Sequence, residues 1–238
     1  MHKSLFTIIL YLIFPFFSYG NYQIDNTGKR SYNFDNIFSL SCPSYIELRD
    51  RESQLGTIID STINQTFKNL EELISKKTDI DLSTPLYRYV FQPSGINSND
   101  FQISSASLKT YLRIIVSIYY EDDITEEDVH NLSSEDIQEL GADRYNSYQQ
   151  LLSSLVGANL VKKHFMYYPA KRIQYGGKQA LVYEYIRPAS NESLTHVTQY
   201  LFYTNKRLLI EINISYKETD KNKYHQDISN MIKSIKFY

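Results

Sequence analysis

The sequence predicts an α+β fold in which an antiparallel β-sheet is flanked by helices, and three observations in its last third support this prediction. Over residues 208–216 apolar side chains alternate with polar ones, Leu209 being the exception, which is typical of a half-buried strand. The preceding run, 195–203, is rich in β-branched and aromatic residues. Residues 221–235 then place apolar side chains on one helical stripe, which needs a sheet to cover.

The two strand-like runs are expected to form a hairpin, because the polar segment 204–206 between them contains Asn205, a residue that tolerates positive φ. With Asn205 and Lys206 as a two-residue turn, one face of the hairpin points toward the core. That face comprises Val197, Gln199, Leu201, Tyr203, Leu208, Ile210, Ile212 and Ile214. A slip of one residue would exchange the two faces.

The opposite face of this hairpin is the predicted binding site. Its titratable and hydrogen-bonding side chains would converge on two adjacent strands. They are His196, Thr198, Tyr200, Glu211 and Asn213. The alternative is an ordinary polar outer face, or one that is hydrogen-bonded beneath a covering helix.

Residues 1–20 have the layout of a cleavable signal peptide. His2 and Lys3 precede an apolar run at 5–17, and Ser18-Tyr19-Gly20 places small residues where a signal peptidase would cut, before Asn21. The run is shorter than the roughly 20 residues that a spanning helix needs. We therefore expect a secreted or periplasmic protein with no membrane span after cleavage.

One domain is expected over residues 37–238. It would follow a flexible leader at 21–36, where the sequence is polar and aperiodic. Residues 38–42 alternate as an opening strand, which Pro43 ends. A helical apolar face predicts a helix at 56–76, interpreted as an insertion within the domain.

Further strands are predicted at 87–92 and 110–120, and the second has bulky residues on both faces, as in a central strand. Ser133 is expected to cap a helix that Gly141 divides in two. Its predicted buried stripe comprises Ile137, Leu140, Tyr148, Leu151 and Leu155. Three more strands follow, at 161–168, 171–175 and 179–187, the last two joined by a turn at Gly176-Gly177.

Composition argues against some classes of partner. The net charge of -2 and the pI near 6.2 give no basis for binding nucleic acid or an anionic membrane surface. Cys42 is the only cysteine, so no intramolecular disulfide can form, and we expect it to be a small buried residue of a strand. The 22 tyrosines, with many Asn, Ile and Lys, point to an AT-rich bacterial genome.

The sequence contains no recognisable motif for catalysis or for binding a metal or cofactor. It has no G-x-S-x-G elbow. Its histidines occur singly, without the spacing that would place two imidazoles on one helix face. The acidic run 121–128 lacks the glycine and ligand spacing of an EF-hand, so it is interpreted as a solvated loop.

The C-terminal half resembles the PsbP-like family, in its bacterial secreted branch. The resemblance rests on a glycine turn and strand at 177–183, a long hairpin at 197–216 and a final helix that runs into Ser234-Ile235-Lys236-Phe237. It implies an antiparallel sheet between helices, in an α/β/α sandwich. Members of that family include accessory subunits that bind proteins, and they are generally not enzymes, so no active-site residue carries over.

Together these observations predict an exported, non-catalytic binding or accessory protein. Its partner would be an envelope or extracellular protein, or a small ligand, and no cofactor is expected. The alternative is an envelope hydrolase or a metal-dependent enzyme with an atypical site.

Overall fold

The predicted hairpin lies at the centre of a large sheet in the computed structural model. The structure describes residues 22–24, 28–34, 36–48, 85, 87–95, 111–121, 123–188 and 193–238. Its strands are β1 (Tyr22–Ile24), β2 (Arg30–Phe34), β3 (Phe38–Cys42), β4 (Ile46–Leu48), β5 (Tyr87–Pro93), β6 (Leu112–Tyr120), β7 (Met166–Tyr167), β8 (Lys171–Tyr175), β9 (Lys178–Pro188), β10 (Leu194–Tyr203), β11 (Leu208–Lys217) and β12 (Lys236–Phe237). Its helices are α1 (Glu126–Asn131), α2 (Ser134–Val156), α3 (Ala158–His164) and α4 (Lys221–Lys233), with a 3-10 turn at Glu218–Asp220.

Eight strands form the central sheet. Their order is β4-β5-β6-β11-β10-β9-β7, and β8 also pairs with β9. The strand pairs in this sheet are antiparallel. A second sheet has the order β1-β2-β3-β12, so a strand from the end of the chain completes a sheet begun by the first strands.

Other layers cover both faces of the central sheet, although Arg113, Ile115 and Tyr119 on the second face of β6 are only half-buried. On the face that we call the sheet-side face, Ile114 and Ile212 are fully buried against the second sheet and α4. On the other, the helix-side face, Leu181 and Tyr183 pack with residues of α1 and α2 such as Tyr145. The α+β fold predicted from the sequence is confirmed, and one of its outer layers also contains the small sheet.

Residues 22–24 and 30–34 were expected in a flexible leader, but they form β1 and β2. Tyr32 and Phe34 are buried, and both rings contact Phe91 edge to face. The turn into β3 is closed by the Asn36 amide, which donates to the Asn33 side chain. The leader prediction is wrong because the apolar alternation of β2 is only two residues long within a polar segment. The predicted signal peptide and the helix at 56–76 lie outside the described residues.

Helix α2 begins at the predicted Ser133 cap. The Ser133 hydroxyl accepts from the Asp136 amide at 3.1 Å, and the Asp136 carboxylate accepts from the Ser133 amide at 2.8 Å, which is a capping box. Gly141 does not divide the helix, contrary to the prediction. It instead allows α2 to approach the chain before β8, since a Cβ at this position would lie 2.6 Å from the Cβ of Ala170.

Two other predictions for this region are wrong. Leu140 and Leu155, placed in the buried stripe of α2, are exposed, because the contact at Gly141 turns a neighbouring helix face toward the sheet. That buried face comprises Ile137, Gly141, Tyr145 and Leu152. The strand predicted at 161–168 is α3 followed by the two residues of β7, because Gly157, at φ 101, ends α2 and redirects the chain into a new helix.

Candidate functional site

The β10–β11 hairpin closes with a three-residue turn, so the predicted register is wrong by one residue. Tyr203 pairs with Leu209, whereas a two-residue turn would pair it with Leu208. The Thr204 amide donates to the Leu208 carbonyl at 3.0 Å. Arg207 adopts φ 57, the left-handed conformation that ends a three-residue hairpin loop.

This register divides the five predicted site residues between the two faces of the sheet. Three of them lie on the sheet-side face and two on the helix-side face. The pairings are His196 with Tyr216, Thr198 with Ile214, Tyr200 with Ile212, Leu201 with Glu211 and Gln199 with Asn213. The prediction that all five share one face is therefore wrong, and the structure contains two separate polar clusters.

The first cluster is centred on His196, on the sheet-side face. Its ring is 1% exposed and is clamped by two carboxylates: Nδ1 lies 2.6 Å from Glu218 and Nε2 lies 2.8 Å from Glu184. The ring also stacks on Tyr216, with centroids 5.1 Å apart. Because ionised carboxylates only accept hydrogen bonds, both nitrogens donate when the imidazole is a cation.

The charges around His196 are balanced by neighbouring cations. The hydrogen bond from His196 holds the pKa of Glu184 below its ordinary value, and Lys171, with its Nζ 3.6 Å away, and Lys221 lower it further. Burial raises the pKa of Tyr216, and Glu184 raises it further. The cluster joins β9, β10 and the 3-10 turn before α4, so it fixes the start of that helix to the sheet.

Among the described residues, no hydrogen bond joins the other two predicted residues of this face to the His196 carboxylates. Tyr200 is buried in the core, edge to face with Tyr175 at 5.9 Å, and burial raises the pKa of its hydroxyl. Thr198 is half-buried opposite Glu184 on β9. Neither residue extends the cluster.

The second cluster is centred on Glu211, on the helix-side face. Glu211 Oε1 accepts from the Asn213 side chain at 2.6 Å and from the Gln199 side chain at 3.3 Å. The guanidinium of Arg144, on α2, lies 3.7 Å from the same oxygen. The Tyr148 hydroxyl donates to Gln199 at 2.7 Å, so the cluster connects α2 to β10 and β11.

Arg144 lies between the sheet and solvent, with 31% of its side chain exposed. Its guanidinium packs over two aromatic rings, 4.9 Å from the centroid of Tyr183 and 5.5 Å from that of Tyr148. Its Nε donates to the Tyr148 hydroxyl at 3.1 Å. Burial raises the pKa of Tyr148, while the Arg144 charge opposes that shift. Most polar groups of this cluster therefore form hydrogen bonds or ion pairs with one another.

Sequence reasoning missed most of the residues that complete these clusters. Glu184 and Glu218 lie on elements whose pairing with the hairpin was not predicted, and Gln199 was assigned to the core-side face. Arg144 and Tyr148 are four residues apart, so they share one side of α2. That spacing was the one available signal, because a cation beside an aromatic ring on a helix face is suited to packing on a polar strand.

An open cleft lies elsewhere, between the turn after β3 and α4. It has a volume of about 250 Å³, below the roughly 300–1,000 Å³ of typical ligand pockets. The hydroxyl of Tyr45 donates to Asp227 at 2.7 Å at its edge. None of the five predicted residues lines it.

Within the described ranges, no group of three or more His, Cys, Asp or Glu side chains is placed to hold a metal ion. None of the helices in that part of the chain is long and apolar enough to cross a bilayer. Cys42 is buried, as predicted, with its sulfur 3.8 Å from that of Met231.

Comparison with known proteins concerns the whole fold. No protein-family model and no curated protein matches the chain. Among solved structures, the chain is similar to PsbP (CyanoP) from Synechocystis sp. PCC 6803, with 12% identity, 88% of this chain and 92% of that chain covered, and a TM-score of 0.46.

Two further solved structures are similar to this chain. LpqN of Mycobacterium tuberculosis, which is involved in cell envelope biogenesis, shares 10% identity over 84% of this chain and 82% of its own, with a TM-score of 0.42. The Saccharomyces cerevisiae Ran-binding protein Mog1p shares 10% identity over 88% and 95%, with a TM-score of 0.41. At these identities and TM-scores, the similarities assign neither an activity nor a partner to this chain.

Proposed function

We propose that this chain is an exported, non-catalytic binding or accessory protein that acts in the cell envelope or outside the cell. One observation supports the proposal above the others. The side chains best suited to chemistry are bonded to each other within the layers of the fold, and they do not converge on the cleft.

A general base needs an unshared electron pair directed at the group that reacts. In this fold both nitrogens of His196 face carboxylates, and the ring is buried. Glu211 Oε1 already accepts two amide hydrogen bonds. Such groups stabilise contacts between layers, and a catalytic role would require these contacts to open first.

Export is the second part of the proposal and rests on the signal-like pattern of residues 1–20. Its test is the mass of the mature protein purified from the native cells and from the medium. We expect the protein outside the cytoplasm, with the mass of a chain whose first residue is at or near Asn21. An intact first segment on a cytoplasmic protein would overturn this part.

The absence of catalysis is tested with the purified mature protein, incubated with an envelope extract from the source cells. We expect the protein to capture an envelope component saturably and to leave its composition unchanged. Capture should be equal for the wild type, His196→Gln and Glu211→Gln. Multiple-turnover conversion of a component that is lost in either variant would establish an enzyme. Circular dichroism of both variants checks that they remain folded.

A further inference from the structure

The edge of the central sheet at β7 and β8 exposes large apolar side chains to solvent. Met166 and Tyr167 are 52% and 58% exposed, whereas most large apolar side chains in the described ranges are buried. They follow α3 after one residue, and the last turn of that helix contains the exposed residues Lys162 and Lys163. Apolar side chains beside an open strand edge provide a template on which another chain can pair.

The backbone of this edge has hydrogen-bonding groups directed away from the sheet. Gly176 and Gly177 both have positive φ and close a two-residue turn, so Tyr175 and Lys178 form a hydrogen-bonded pair. Alternation then directs the backbone groups of Arg172 and Gln174 away from β9. No strand in the described part of the chain pairs with that outer side.

The segment that forms the edge carries only cationic charged side chains, and the acidic neighbours Glu126 and Glu184 each pair with one of them. Residues 158–183 include five Lys or Arg and no Asp or Glu, in a chain whose net charge is -2. Three of these cations are already engaged: Lys178 binds Glu126, Arg172 donates to backbone carbonyls at the end of α1, and the Lys171 Nζ lies 3.6 Å from Glu184. Lys162 and Lys163, in the last turn of α3, are exposed shortly before β7.

We infer that this edge binds an extended acidic segment of a partner protein, which adds as a further strand beside β7 and β8. Backbone hydrogen bonds would supply the pairing, Met166 and Tyr167 would supply the apolar contact, and the exposed Lys162 and Lys163 would give the preference for acidic side chains. A second copy of this chain fits less well, because pairing two such edges brings lysines together. The inference rests on the proposed binding function and assigns it a surface.

The probe is a capped heptapeptide in which valine alternates with glutamate, added to the full mature protein. Its control has lysine in place of every glutamate. We expect the acidic peptide alone to bind and to slow hydrogen exchange at the amides of Tyr167, Arg172 and Gln174. Binding without protection of these amides, or equal binding of both peptides, would overturn the inference.

Two variants separate charge from backbone pairing. Lys162→Glu with Lys163→Glu should weaken binding of the acidic peptide roughly tenfold, by the sum of several exposed charge contacts. Gln174→Pro removes an outward amide on an edge strand, where proline is tolerated, and should abolish binding while Gln174→Ala preserves it. If Gln174→Pro fails to fold by circular dichroism, the lysine variant decides the question.

Other occupants give distinct results. Stronger binding to vesicles containing phosphatidylserine than to the peptide, with the edge amides still exchanging, would identify a membrane surface instead. Concentration-dependent dimers that disappear in Gln174→Pro would identify a second copy. Either result overturns the inference. If the wild type and the lysine variant capture the same envelope component equally, the component binds at another surface. The inference about the β7–β8 edge then fails, while the proposed binding function stands.

Discussion

The hydroxyl of Tyr145 donates to the carbonyl oxygen of Tyr168 at 2.8 Å, at the break between β7 and β8. The same hydroxyl accepts from the backbone amide of Glu184 at 3.2 Å. A side chain of α2 thus replaces the hydrogen bonds that the sheet loses where its edge strand is interrupted. Burial raises the pKa of Tyr145 to about 12, so this hydroxyl stays protonated at neutral pH.

Replacement of Tyr145 by phenylalanine should destabilise the protein. The change removes one hydroxyl and leaves a carbonyl and an amide without their partner, which costs about 1–3 kcal/mol. The midpoint of urea unfolding measures the effect. Tyr167→Phe is the matched control, because the Tyr167 side chain is exposed and should change stability little. Equal midpoints for the two variants would contradict the role of the Tyr145 hydroxyl.

Gly141→Ala should also destabilise, although alanine is the better helix former by about 1 kcal/mol. The added Cβ would lie 2.6 Å from the Cβ of Ala170, and such overpacking typically costs about 1–3 kcal/mol. Thermal unfolding of the single variants and of the Gly141→Ala, Ala170→Gly pair forms a double-mutant cycle. We expect the second change to restore most of the loss. A stabilising Gly141→Ala would show that the helix does not approach this closely.

The His196 cluster predicts how stability depends on pH. The folded-state pKa of Glu184 is lowered chiefly by its hydrogen bond to His196, so the carboxylate stabilises the fold at neutral pH. That contribution is fully present above the unfolded-state pKa, about 4.3 for Glu, and is lost as pH falls through the lower folded-state value. Unfolding free energies of wild type and Glu184→Gln, measured from pH 7 to pH 3, should therefore converge at the acidic end. A constant difference across this range would contradict the assignment.

Glu211→Gln should leave the partly buried Arg144 without its counter-charge. We expect a loss of about 2 kcal/mol, between the limits for exposed and for buried ion pairs. Glu47→Gln is the control, because the Glu47 carboxylate also lies 3.7 Å from an arginine, Arg30, but is 38% exposed. Its removal should change the free energy of unfolding by a few tenths of a kcal/mol. Similar losses of unfolding free energy in both variants would mean that burial does not strengthen the Glu211–Arg144 ion pair.

Arg207→Gly should stabilise the hairpin. Arg207 adopts φ 57, a conformation that costs a side-chain-bearing residue roughly 1 kcal/mol and costs glycine little. The gain is measured as a raised urea midpoint, with Lys206→Gly as the control at a turn position of ordinary φ. Destabilisation by Arg207→Gly would show that contacts of the arginine side chain outweigh its backbone strain.

The same residue explains what the sequence could and could not predict. Strand alternation in β6 and β11, the Ser133 cap and the stripe of α4 are local patterns, and they led to the correct α+β fold. The left-handed conformation of Arg207 could not be predicted, because glycine or asparagine usually occupies such a position. The turn was therefore taken as one residue too short, and every side chain of β10 was paired with the wrong neighbour.

The layers that cover the two faces of the sheet could not be predicted from the sequence. Alternation indicates which residues share a face, but it does not show which layer covers that face when both are buried. Gln199 illustrates this, because it lies among apolar neighbours and yet bonds to Tyr148 of α2. Arg144 is distant in sequence from Gln199 and Glu211, and Glu184 lies on a different strand from His196, so only tertiary structure brings these side chains together.

The pairing of β12 with β3 has a consequence for how the chain is made. Phe237 lies opposite Phe38, so the small sheet joins residues separated by nearly the whole described length. Contacts of such long sequence separation form slowly, since a large loop must close before they can be made. The edge of β3 therefore stays without its neighbouring strand until residues 236–237 have been synthesised, and a protein that lacks β12 should be cleaved more readily by proteases.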